Sequence, residues 1–208
     1  KIRKKCRGGH LLQNPDEAVA ILDAVRQAVG DDRPCTVKLR RGSDDSPEAL
    51  ANFHRIFEKV IELGYAGATV HGRTVEQKYV GPSRWAFLRG LVDTYKSGKC
   101  KVQSAKSEEA TYGSDTSHFG LRTANFTIMG SGDIWNAHDI FRMIDETGVD
   151  GVSVARGCIG NPWIFPQAPT IMRGDLDAAN RPPTVQQQRR VLLDHVELSV
   201  GLHGEKMA

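Results

Sequence analysis

Apolar positions along the chain switch repeatedly between a short run and a helical period, and the switching predicts strands and helices in turn. Asn14-Pro15-Asp16-Glu17 opens a helix: a side chain suited to capping, proline at the first helical position, acids at the positive end of the dipole. Ala18, Ile21, Leu22, Val25 and Val29 follow at helical spacing, and Gly30 ends the pattern. Cys35-Thr36-Val37-Lys38-Leu39-Arg40 reads as a buried strand. Ser46-Pro47-Glu48 opens a second helix with Leu50, Phe53, Phe57, Val60 and Ile61 as its apolar face and Gly64 as its stop. Gly67-Ala68-Thr69-Val70-His71 is the second expected strand. Residues 82–95 are expected to be helical, with Trp85, Leu88, Leu91, Val92 and Tyr95 on one side. Phe126-Thr127-Ile128-Met129 is a third strand, residues 136–147 a helix through Ile140, Met143 and Ile144, and Gly151-Val152-Ser153-Val154-Ala155 a fourth strand. Strands alternating with helices imply an α/β fold on a parallel sheet. Four such units suggest half of a (β/α)8 barrel, with a doubly wound sheet as the alternative.

Two stretches interrupt the rhythm. Residues 97–124 are polar and rich in Lys, Ser, Thr and Gly, as expected of a surface insertion with little apolar area to offset the entropy of ordering. Residues 167–183 read as a Pro-bearing linker. After it, Leu192, Leu193, Val196 and Val200 mark an amphipathic helix ended by Gly204. A lone apolar stripe must pack somewhere, so residues 184–208 read as the start of a helical domain, behind a partial barrel over residues 1–166.

Composition narrows the classes. Of 208 residues, 39% are hydrophobic and 25% charged, too apolar for disorder and too charged for a membrane bundle. Cys6, Cys35, Cys100 and Cys158 form no CxxC pair, which excludes zinc ribbons and thioredoxin-type motifs and points to a reducing cytoplasm. The net charge of +3 is mild but uneven: Lys1, Arg3, Lys4, Lys5 and Arg7 crowd the first seven residues, beside Gly8-Gly9. Such a run is either a solvated loop or a set of phosphate contacts. Cys6 sits among these cations, which would lower its thiol pKa, but no nucleophile–base pair surrounds it.

In parallel α/β folds, sites form at the carboxyl ends of the strands. The four ends here carry Lys38 and Arg40, then His71-Gly72-Arg73, then Gly130-Ser131-Gly132-Asp133, then Ala155-Arg156-Gly157. Together they would form a cationic ring. The two Gly-rich ends suit a phosphate, because glycine lets backbone N–H groups approach an anion; plain turn chemistry explains them equally well. Lys38 either meets an anionic or electron-rich partner or reaches water along its stem. His71 is either a ligand or a core histidine bonded to a carbonyl.

The motifs TVKLR (36–40), HGRT (71–74), GSGDI (130–134) and ARG (155–157) followed by GNPWIF (160–165), in this order and spacing, resemble the tRNA-dihydrouridine synthases, in particular the bacterial B-type branch. The resemblance implies an FMN-binding (β/α)8 TIM barrel, of which this chain would be the second half, followed by the beginning of a C-terminal helical domain that binds tRNA. It implies NADPH-driven reduction of uridine in tRNA to 5,6-dihydrouridine. Lys38 and His71 would contact the isoalloxazine ring. Ser131, Gly132, Asp133, Ala155 and Arg156 would hold the phosphate end, and Arg40 and Arg73 would face the RNA. Serine stands at 131 where the family usually has asparagine. The family's proton-donating cysteine is expected upstream of Lys1, so no catalytic residue is assigned within the chain, and the 208 residues alone are expected to be inactive. The alternatives are a flavin- or phosphate-binding half-barrel or interaction module without turnover and another FMN barrel enzyme of dihydroorotate type.

Overall fold

A computed structural model of the chain describes residues 8–30, 32–96 and 125–204. The insertion expected over residues 97–124, and the basic start with Cys6, lie outside them. The chain divides into two compact units, one ending at Ile159 and one starting at Gly160.

In the first unit a 3-10 turn, Gly8–Gln13, leads into α1 (Pro15–Val29), β1 (Thr36–Arg40), α2 (Pro47–Glu62), β2 (Gly67–His71), α3 (Trp85–Tyr95), β3 (Thr127–Ser131), α4 (Ala137–Thr147) and β4 (Gly151–Ser153). The four strands form one sheet in sequence order, each parallel to its neighbour. The expected α/β class and the parallel pairing of the first two strands are therefore observed. β3 runs two residues further than its apolar run, through Gly130 and Ser131, while β4 stops at Ser153.

Local chemistry sets the helix starts. The Ser46 hydroxyl accepts the Ala49 N–H at 3.1 Å ahead of Pro47, and Asn136 and Asp139 form a reciprocal capping box on α4. The α2 face that packs inward is Ala49, Phe53, Ile56, Phe57, Val60 and Ile61; Leu50, one position off that stripe, is exposed. Phe57 is the hub of the core. It stacks on Phe53 at 5.5 Å and meets Tyr95 and Phe126 at 4.9 and 5.6 Å. On α1 only Ala18 and Leu22 are buried, whereas Ile21, Val25 and Val29 are exposed.

The second unit holds α5 (Ile164–Met172), α6 (Leu176–Asn180) and α7 (Val185–His203). Two of these helices occupy the stretch read from sequence as a linker. Pro166 stands in the first turn of α5, where a missing N–H costs nothing, whereas Pro169 lies inside the helix, which continues through it to Met172. Thr184 and Gln187 cap α7 as a capping box. Among the described residues no helix is long and apolar enough to cross a membrane.

Candidate functional site

The register of the sheet builds the site. Arg40 pairs with His71, His71 with Ser131, and Ser131 with Ser153, so one residue from each strand's carboxyl end lies in a single row. Two cavities meet at this row. A larger one of about 530 Å³ is lined by Lys38, Arg40, His71, Ser131 and Arg156 on its polar side and by residues such as Ile21 and Leu39 on its apolar side. A small one of about 30 Å³ lies among His71, Ser131, Gly132, Asp133, Trp135 and Arg156. Eight of the nine sequence-selected residues line one cavity or the other; Arg73 lines neither. Lys38 is exposed at the edge strand, so it needs no buried anionic partner.

His71 is half-buried and neutral. Burial, together with the charges of Arg40, Arg73 and Lys38, holds its pKa down to about 4, against a weaker opposing pull from Asp133. Its Nδ1 accepts the Arg73 backbone N–H at 3.2 Å, which leaves the proton on Nε2. The residue therefore presents an uncharged donor.

Arg73 is not at an open face. It is 3% exposed, and its guanidinium is used internally: Nη2 donates to Asp133 Oδ1 at 2.6 Å and to the Gly81 carbonyl at 2.7 Å, and Nε donates to the same carbonyl at 3.0 Å. Arg73, expected at the RNA face, is buried in this structure. Asp133 is likewise engaged, since its Oδ2 accepts the Ser83 N–H at 2.6 Å. Burial raises the Asp133 pKa, but the Ser83 N–H and the charges of Arg73 and Arg156 outweigh it and hold the carboxyl below its ordinary value. Asp133 is left-handed at φ 59°, a conformation that aspartate tolerates better than most residues.

Arg156 is exposed at the mouth. Its guanidinium lies 4.4 Å from the Tyr79 ring centre and 5.2 Å from that of Trp135. Arg40 donates to the Thr74 and Lys78 carbonyls at 2.8 and 3.0 Å, also beside Tyr79. Tyr79, Trp135, Ser83 and Gly81 were missed from sequence. Tyr79 and Trp135 lie in loops with no periodic pattern, and the other two act through backbone atoms. A Cβ on Gly157 would fall 1.8 Å from the Ile134 carbonyl oxygen, so the loops after β3 and β4 approach as closely as only glycine permits.

Residues 1–95 and 121–205 match the family described as dihydrouridine synthase. The chain belongs to that family. It is 32% identical over 182 residues to a probable tRNA-dihydrouridine synthase of Mycobacterium leprae, covering 88% of this chain and 39% of the relative. It is 31% identical over 190 residues to the tRNA-dihydrouridine(47) synthase [NAD(P)(+)] of Eremothecium gossypii, covering 90% and 27%. Tyrosine 79, the row of strand ends and the two cavities all fall within the matched residues. The tRNA-dihydrouridine synthase B of Shewanella oneidensis is 30% identical over 207 residues, covering 99% of this chain and 52% of the relative. The chain thus spans from about a quarter to about half of the length of these relatives.

Proposed function

We propose that the chain carries the flavin-binding face of a tRNA-dihydrouridine synthase, that its sheet is half of a (β/α)8 barrel, and that residues from Gly160 onward begin a helical tRNA-binding domain. The observation that carries the reading is the row Arg40, His71, Ser131 and Ser153 at the junction of two cavities, in a chain of this family.

The donor set fits FMN. The larger cavity has the volume of a cofactor site, apolar on one side and cationic on the other. Among the described residues that line either cavity, Asp133 is the only carboxylate, and Arg73 already neutralises it. Nothing there repels a phosphate. Lys38 and the Nε2–H of His71 would hold the ring. Ser131, Gly132, Ala155 and Arg156 would hold the phosphate, and Arg40 the RNA. Reduced FMN held by these residues would supply the hydride for the uracil C5–C6 bond, with NADPH as the reductant. A neutral His71 can donate a hydrogen bond to that site without adding a charge, and Arg40 stands ready for a phosphate or a base edge. The target base must leave its stack to reach such a cavity. Free cysteines at Cys35 and Cys158 agree with action in the cytoplasm.

The test is FMN titration of the 208-residue chain by flavin fluorescence, with riboflavin as the phosphate-free control. An NADPH-dependent dihydrouridine assay on unmodified tRNA runs alongside. Tighter binding of FMN than of riboflavin is expected, and equal or absent binding would overturn the reading.

A further inference from the structure

Arg73 and Asp133 stand just past the ends of adjacent strands, sixty positions apart in sequence, yet among the described residues they make the most buried ion pair of the first unit. Three segments meet on it. Arg73 ends the His71-Gly72-Arg73 run after β2. Asp133 ends the Ser131-Gly132-Asp133 run after β3. The third is the loop before α3, held by the Gly81 carbonyl on one side and the Ser83 N–H on the other.

The consequences reach the cavity through two neighbours. Gly132 sits at φ 113°, and a Cβ there would fall 2.6 Å from Ser83 Oγ and 3.1 Å from His71 Cε1, so the turn is pressed against both. The Arg73 backbone N–H fixes the His71 tautomer. An ion pair of this kind loses its attraction to desolvation unless its remaining donors and acceptors are used. Here the Gly81 carbonyl takes Nε and Nη2 and the Ser83 N–H takes Oδ2, while Arg73 Nη1 is buried without a partner, so the arrangement sets geometry more than it adds stability.

We infer that Arg73 and Asp133 are positioning residues: as a pair they lock the strand-end turns to the 81–83 loop and so shape the anion pocket that His71, Gly132, Asp133 and Arg156 line, both Asp133 carboxylate oxygens being already engaged by Arg73 and Ser83. This rests on the reading of that pocket as the flavin phosphate site. It departs from the resemblance, which placed Arg73 on RNA and Asp133 on the cofactor.

The alternatives predict opposite signs. If Asp133 acted on the phosphate only through its charge, Asp133→Asn would tighten FMN binding, because a nearby anion is removed. If the pair positions the pocket, Asp133→Asn and Arg73→Lys should each weaken FMN by about tenfold to a hundredfold. The double variant should then be little worse than either single, since both break one contact. The experiment measures FMN and riboflavin affinities of the full chain and the three variants at a temperature well below each melting point, with amide exchange at Ser83 and Arg73 in the ligand-free protein. Weakened FMN with a non-additive double variant supports the pair. Tightening by Asp133→Asn, or strictly additive losses, overturns it. Should the unsubstituted chain bind no flavin, the flavin reading fails and exchange decides the pair: a Ser83 amide that is slow in the parent and fast in both single variants upholds it, and one unchanged by either variant sinks it. If one single variant does not fold, the other carries the same readouts.

Discussion

At neutral pH the His71 ring carries no charge, and the groups responsible are the burial around it and the cations Arg40, Arg73 and Lys38. Its folded pKa of about 4 lies below the ordinary 6.5. Between these values the unfolded chain binds the extra proton, so stability falls as pH drops from 6.5 toward 4 and the contribution is fully present above that window. His71→Gln cannot titrate and is expected to lose this part of the pH dependence in urea midpoints measured from pH 7.5 to 4.5. A His71 that titrates near 6.5 by NMR would show that the cations do not act on it. At the mouth, Arg156→Ala is expected to weaken FMN by about 1–3 kcal/mol, the range for a lost charge-assisted hydrogen bond, read by flavin fluorescence. In a complete enzyme that contains this chain, Lys38→Ala should lower the rate of dihydrouridine formation more than it weakens FMN binding. These residues were legible in the sequence because they end strands, and strand ends of a parallel sheet converge. Arg73 was not: an arginine after a strand reads the same whether it meets solvent or a distant aspartate, and its partners Gly81 and Ser83 contribute backbone atoms that no side-chain pattern reveals.

Among the elements, amphipathic spacing told which residues share a face but not what covers that face. On α2 the stripe is covered, and five side chains on it are 1% exposed or less, Phe53 and Phe57 among them. On α7 the equivalent stripe has no buried residue, with Leu192 65% and Leu202 77% exposed. A single helix of nineteen residues without tertiary cover is marginal in water. Amides of α7 are therefore expected to exchange orders of magnitude faster than those of α2 in the isolated chain, and comparable protection would mean that a partner covers α7. The loops behave oppositely. Because the Ile134 carbonyl occupies the space a Cβ at 157 would need, Gly157→Ala should cost about 3 kcal/mol or more by denaturant unfolding, beyond ordinary overpacking. Sequence marked that glycine only as a turn residue; the close approach is a property of two loops brought together by the sheet.

For the molecule as a whole, the decisive feature is that each outer strand of the sheet, β1 and β4, has one neighbour among the described residues. An edge strand invites pairing with another chain, and Lys38 exposed on β1 opposes it. Apolar area argues the other way. Ile21, Val25 and Val29 on α1 are 44%, 45% and 37% exposed, and Leu11, Leu22, Val37 and Leu39 line the adjoining cavity. One lysine can bend away along its flexible stem, whereas a continuous apolar wall cannot be hidden without a cover, so the apolar contribution should win. The 208-residue chain is expected to self-associate with rising concentration in sedimentation velocity. The association should strengthen in sulfate, because excluded salts favour apolar burial. If the proposed function holds, binding to tRNA should by contrast weaken with salt, because it releases counterions. Ile21→Lys with Val25→Glu should shift the chain toward monomer while leaving the melting temperature of the first unit nearly unchanged, since neither side chain is in its core. A chain that stays monomeric at high concentration in sulfate would show that the edge lysine and the surrounding charge suffice to protect this surface.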